Sequence, residues 1–134
     1  MVGEEIARLE INQVSTHTDN LVIKEVDLAL KKGDEIAFWS EMDFKYEGNA
    51  ELRFKIEILK DGEKYGGLEI DPTDKNMTIG ETKTVFNSKT NWSFTGKNAE
   101  IEIKEDGKYT FKGILVATKN ATLEITKAEV VLKQ

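Results

Sequence analysis

The sequence predicts an all-β protein: a jelly-roll-type β-sandwich of about eight to ten mostly antiparallel strands, in a single domain over residues 1–134. Three observations carry that expectation. Segment after segment alternates apolar and polar residues with period two, and no stretch keeps a 3.6-residue period for about ten residues. Turn signals built on Gly, Asn and Asp separate the runs at short intervals. A single proline, Pro72, and the lack of biased tracts leave nothing that reads as a linker. A chain of 134 residues buries enough surface for one core without disulfide or metal staples.

The strands follow in order. Residues 6–14 offer Leu9 and Ile11 to a core. Residues 21–31 alternate Val22, Val26, Leu28 and Leu30 with Glu25, Asp27 and Ala29. Lys31-Lys-Gly-Asp34 reads as a turn, and 35–46 sets Ile36, Phe38, Met42, Phe44 and Tyr46 against Trp39, Glu41, Asp43 and Lys45. Segment 50–60 repeats the pattern with Leu52, Phe54, Ile56 and Ile58, and Asp61-Gly62 leads to a strand at 64–70. Asp71–Asn76 reads as a loop crossing between sheets. Strands are then expected near 77–86, 91–95, 98–104, 108–118 and 122–133. Gly113 inside a strand marks a bulge or a close backbone approach. The switch from Leu123 and Ile125 to Ala128, Val130 and Leu132 calls for a bulge near Thr126-Lys127.

Charge complementarity suggests a register for 35–70. A three-residue loop Glu47-Gly48-Asn49 would oppose Lys45 to Glu51, Asp43 to Arg53 and Glu41 to Lys55. A second loop, Asp61-Gly62-Glu63, would oppose Ile56 to Leu68, Phe54 to Ile70, Lys55 to Glu69 and Arg53 to Asp71. The far end of the same outer face would then gather Trp39, Glu57, Leu59, Tyr65 and Gly67 into an aromatic patch. A tryptophan on the polar side of a strand is the main anomaly of this chain. Three roles fit it: ordinary packing beneath residues 1–14 or a loop, a subunit interface, or a ligand platform.

Chemistry is sparse. The net charge of −6 spreads basic residues among a majority of acidic ones, which excludes nucleic acid and anionic membrane as expected partners. No run is long and apolar enough to span a bilayer as a helix. Met1–Glu5 shows no secretory leader and there is no cysteine, a combination that leans toward the cytoplasm, although a leader already removed would leave no trace. The lone His17 sits in a polar Ser-Thr-His-Thr-Asp-Asn stretch, and no serine has the flanks of a nucleophile elbow. Catalysis is not expected; a small hydrolase using carboxylates or His17 is the weakest reading. No cofactor is expected. Asp71 and Asp74, like Asp19-Asn20, offer oxygens to calcium, but turn-forming Asp and Asn bonding their own backbone explain them better. Trp92 beside Asn91 is a secondary sugar-stacking candidate, set against a core role alternating with Phe94. Asn76, Asn91 and Asn120 head Asn-X-Ser/Thr triplets that mean little without a secretory route.

The layout resembles the jelly-roll domains of the galactose-binding-like and carbohydrate-binding-module group. The likeness lies in Leu30-Lys-Lys-Gly-Asp-Glu-Ile36 entering a strand, Gly107-Lys-Tyr-Thr-Phe111, and the closing Leu123-Glu-Ile-Thr-Lys-Ala-Glu-Val-Val-Leu132. The resemblance implies a sandwich, and binding ahead of catalysis. The expected function is a non-enzymatic module acting through a surface contact with a protein partner or a second copy of itself, with a carbohydrate-binding module as the alternative.

Overall fold

A computed structural model describes residues 3–16 and 20–134, so His17 and Asp19 lie outside the described residues. Among the described residues nine strands form: β1 (Glu5–Glu10), β2 (Lys24–Leu30), β3 (Glu35–Glu47), β4 (Leu52–Lys60), β5 (Glu63–Ile70), β6 (Met77–Phe86), β7 (Lys89–Glu102), β8 (Gly107–Ala117) and β9 (Glu124–Lys133). No helix among the described residues is long and apolar enough to cross a membrane.

The strands divide into a five-stranded sheet, β1-β9-β3-β7-β6, and a four-stranded sheet, β2-β8-β4-β5. Their pairing is nested: β1 with β9, β2 with β8, β3 with β7 and β4 with β5, every ladder antiparallel. One long hairpin rolled over itself gives this order, and the β3·β9 and β4·β8 ladders close the two sheets. That is the jelly roll. β6 is an extra strand hung on the β7 side.

The core fills the space between the sheets. Leu9, Phe38, Met42 and Phe44 from one side meet Phe54, Ile56, Tyr109, Phe111 and Leu115 from the other, all buried. Phe38 and Phe111 touch edge-on with ring centroids 5.9 Å apart. Gly113 is regularly paired with both β2 and β4, so it marks no bulge. Instead, a Cβ there would stand 3.0 Å from Leu9 Cδ1 and 3.1 Å from Ile11 Cδ1, so the missing side chain makes room for the facing sheet. The bulge in the last strand is present: Asp43 opposes Lys127 and Phe44 opposes Ile125, leaving Thr126 as the extra residue.

Three local expectations are corrected. First, β3 and β4 do not form a hairpin; they lie in different sheets, joined by a crossing at residues 48–51. The pairs of Glu41 with Lys55, Asp43 with Arg53 and Lys45 with Glu51 therefore do not form. Exposed charge pairs are worth only about 0.2–1 kcal/mol each. β3 instead takes a central place between β7 and β9, where Trp39 on its outer face is buried beside Val131.

Second, the β4·β5 register holds for Phe54·Ile70, Lys55·Glu69, Ile56·Leu68 and Glu57·Gly67, and Arg53 Nη1 lies 3.4 Å from Asp71 Oδ2. The turn is shorter than expected, however. Asp61 and Gly62 both take positive φ (50° and 86°), the geometry of a two-residue hairpin turn. The surplus residue is absorbed at Tyr65, so Leu59 opposes Lys64 and not Tyr65.

Third, residues 91–95 and 98–104 belong mostly to one continuous β7, with Asn98 bulged out between partners of Phe38 and Trp39. Gly96 there does not break the strand. Its bare Cα makes room for the side chain of Lys75, whose methylenes a Cβ would strike.

Asn98 explains how the crossover from β5 to β6 is held. Its Nδ2 donates to the carbonyls of Asp71 (3.2 Å), Pro72 (3.1 Å) and Asp74 (2.9 Å), while the fully buried Ser40 donates to its Oδ1 (2.6 Å). The 71–76 segment does cross between sheets, as expected.

Candidate functional site

The expected patch of Trp39, Glu57, Leu59, Tyr65 and Gly67 does not exist as a unit. Trp39 belongs to the five-stranded sheet, while the other four belong to β4 and β5 of the opposite sheet. Only a β3–β4 hairpin would bring Trp39 to the other four, and none forms. Leu59 is half-buried, and Tyr65 turns its ring edge-on to the buried Tyr109 at 5.3 Å. Gly67 stands where a Cβ would lie 2.9 Å from the Ile56 carbonyl oxygen, so its bareness serves the β4·β5 approach.

Trp39 is on the outer face, as the alternation requires, yet is 1% exposed. Lys133 Nζ sits 4.3 Å above its ring. Its Nε1 is buried with no hydrogen-bond partner among the described residues. A surface hollow of about 370 Å³ adjoins it, with Lys97, Glu100, Lys133 and Met77 on its wall. The ring works as packing under a lysine and offers no free face to a ligand.

Further along this outer face, Arg8 gathers carboxylates. It bonds Glu5 (2.7 Å), Glu41 (2.9 Å) and Glu129 (2.7 Å), and Lys127 Nζ adds a 2.8 Å bond to Glu41. The Arg8 bonds, aided by Lys127, hold the Glu41 carboxyl at about 2, against the opposing effect of burial. Every charge in this cluster is answered, which marks it as a brace between strands.

The remaining expected candidates separate as well. Trp92 and Asn91 are successive residues of β7 and point to opposite faces. Trp92 opposes Phe44 and Lys83, placing it on the inner face at its open margin, whereas Asn91 opposes Lys45 and Thr84 on the outside. Asp71 Oδ1 accepts from the Thr73 amide (2.9 Å) and hydroxyl (2.7 Å), the self-capping turn expected of it. Asp74 is exposed, and no group of three or more metal-binding side chains occurs among the described residues. Asn120 donates to the carbonyls of Glu47 and Asn49, tying two loops together.

What the structure does assemble is the β6–β7 hairpin. All ten residues of β6 are exposed, and the strand forms the free edge of the five-stranded sheet. On the inner side, Lys75 runs over Gly96 and sets its Nζ 4.1 Å from the Phe94 ring centroid. It pairs with Glu81 at 2.6 Å, and Trp92 Nε1 donates to the same Glu81 oxygen at 2.6 Å. Lys83 Nζ stands 4.0 Å over the Trp92 ring. The Lys75 and Trp92 bonds keep the Glu81 carboxyl below its ordinary range.

Beyond this cluster the hairpin is apolar and uncovered: Met77, Ile79, Val85 and Phe86 are all exposed, Phe86 by 76%. Its turn, Asn87-Ser88, has φ of 50° and 61°. Gly80, at φ +78°, belongs to a bulge that shifts the β6·β7 register between Thr78 and Glu81. The signal for this edge is in the sequence. Residues 77–86 place Met77, Ile79 and Val85 on odd positions with the charged Glu81 and Lys83, and Phe86 on an even one among threonines and Gly80, so neither face reads as a core face. No protein-family model matches the chain, and no curated protein matches it.

Proposed function

We propose that the protein is a non-catalytic binding module that engages a protein partner through the open β6 edge of its five-stranded sheet. The carrying observation is the concentration of exposed apolar residues. Of the seven large hydrophobic residues exposed among the described ones, four (Met77, Ile79, Val85 and Phe86) lie on this one strand. Soluble proteins ordinarily blunt a long edge with lysines, proline or a covering loop. Here a bulge guards one half, and residues 81–86 run without a bulge, regularly paired on one side and open on the other. Such an edge supports partner recognition by strand addition, with backbone bonds giving affinity and alternate side chains giving selectivity.

The test is an array of synthetic ten-residue extended peptides probed with wild type and Val85→Pro. Proline at a solvent-facing edge position removes an outward amide and leaves the β7 ladder intact. Peptides bound by wild type and lost in the variant support the reading. Equal binding by both, or an empty array from a monomeric protein, opposes it.

A second reading is carbohydrate binding. It is supported by the jelly-roll layout shared with galactose-binding-like and carbohydrate-binding domains and by the place of Trp92. That ring lines a cleft of about 180 Å³ with Phe44, Glu51, Arg53, Asp71 and Thr73, an apolar plane beside hydrogen-bonding groups. The cleft is small against the roughly 300–1,000 Å³ usual for ligand pockets, which puts this reading second. A glycan array with a Trp92→Ala control decides it; no sugar retained by wild type ends it.

A further inference from the structure

The edge itself selects a partner. Asn87-Ser88 is a two-residue turn closed by the pair Phe86·Lys89. The closing pair of such a turn exchanges both backbone bonds, and bonding alternates along an antiparallel strand. Phe86, Thr84 and Thr82 therefore turn their N–H and C=O toward β7, while Val85, Lys83 and Glu81 turn theirs to solvent. A strand added at this edge must bond to Glu81, Lys83 and Val85.

We propose that the strand added is β6 of a second copy of this chain, antiparallel about a two-fold axis at Thr82, which rests on the reading of β6 as a binding edge. Outward residues must face outward residues, and three symmetric registers do so while engaging more than one of Glu81, Lys83 and Val85. Centred between the two copies of Lys83, like charges would meet. Centred at Thr84, Lys83 would face Val85 and leave Glu81 unanswered. Centred at Thr82, Glu81 of each copy faces Lys83 of the other, twice over, and the two Thr82 side chains meet at the close-spaced pair between them. Glu81 uses only Oε2 for Lys75 and Trp92, so Oε1 is available to the incoming lysine.

The apolar residues agree with the same register. Carrying the bulge at Gly80 across as the extra residue brings Phe86 opposite Met77 of the second copy, with its Ile79 alongside. Met77 and Phe86 lie on the outer side of the sheet, since they pair with Lys97 and Lys89 of β7. The most exposed aromatic ring of the chain is thus covered by two of the other exposed apolar side chains. The result is a continuous ten-stranded sheet across two sandwiches.

The test is solution mass over a concentration series, by light scattering and sedimentation, on four samples: wild type, Glu81→Lys, Lys83→Glu, and a mixture of the two variants. Wild type is expected to approach twice 15.2 kDa. Each single variant puts like charges together at both ends and is expected to dissociate at least tenfold more readily. The mixture restores both opposite-charge pairs and is expected to recover the dimer, which no loss of folding could imitate. A wild type that stays monomeric, single variants that dimerise as tightly as wild type, or folded variants that fail to recover on mixing would each overturn the proposal. A monomeric wild type that still binds strand peptides leaves the binding edge standing, whereas a monomer with an empty peptide array removes both.

Discussion

Arg8 on β1 grips Glu41 on β3 across the whole width of β9: Nη1 and Nη2 each donate to a different carboxylate oxygen of Glu41, both at 2.9 Å. The guanidinium also takes Glu129 of the strand it spans, at 2.7 Å. A planar fork with several fixed donors is suited to this and an ammonium is not. Arg8→Lys should therefore cost most of what Arg8→Ala costs, about 1.5–3 kcal/mol by chemical denaturation. A lysine variant as stable as wild type would show the fork to be unimportant.

The same cluster sets an acid response. Folding lowers the Glu41 carboxyl from about 4.5 to about 2, chiefly through the Arg8 bond. A group depressed in the folded state contributes fully above its unfolded value and loses that contribution as the pH falls toward its folded value. Stability should decline between about pH 4.5 and pH 2 in wild type, and the decline should be shallower in Glu41→Gln, which starts less stable at neutral pH. Parallel pH profiles for the two proteins would contradict this assignment.

Asn98 is expected to be the most sensitive polar position. Asn98→Ala leaves three loop carbonyls without their common donor and the buried Ser40 hydroxyl without its acceptor. Each orphaned buried group costs about 1–3 kcal/mol. Asn98→Asp should be no better, because it restores the acceptor for Ser40 but faces the carbonyls with a carboxylate. Hydrogen exchange should show residues 71–76 opening well before the sheets in both variants. Unchanged exchange there would exclude the anchor role.

The fold was legible where side chains face the core. Val130, Leu132 and Ala128 against Leu123 and Ile125 demanded the bulge at Thr126, because burial of several apolar side chains at about 1.5–3 kcal/mol each overrides local regularity. The register of β5 against β4 was legible for the same reason, with Phe54·Ile70 and Ile56·Leu68 inside. Strand partnership was not. Lys45 and Glu51 stand close in sequence and opposite in sign, but Lys45 bonds Glu124 of β9 at 3.1 Å. A jelly roll pairs strands that are distant in the chain, and weak exposed charge pairs fit many partners equally well. The candidate site falls with the hairpin, and the sequence marks β6 only as a strand with no core face, a pattern that names neither an edge partner nor a site.

The two tryptophans should separate cleanly. Trp39 is sealed and Trp92 is half-exposed. In Trp92→Phe the remaining emission should be blue-shifted and poorly quenched by acrylamide; in Trp39→Phe it should be redder and readily quenched. Trp39→Phe should also cost far less than the roughly 3–5 kcal/mol of Trp39→Ala, because it removes a buried N–H that has no partner among the described residues. A quenchable Trp39 would mean that its cover of Lys133 is not in place.

Amide exchange along residues 81–86, followed by NMR at low and high protein concentration, bears most directly on β6 as an open edge that a second copy fills. At low concentration the amides of Thr82, Thr84 and Phe86 should be protected and those of Glu81, Lys83 and Val85 should exchange freely. As concentration rises, protection should spread to Glu81, Lys83 and Val85. Uniform protection in the dilute protein, or outward amides that stay unprotected at every concentration, would contradict it.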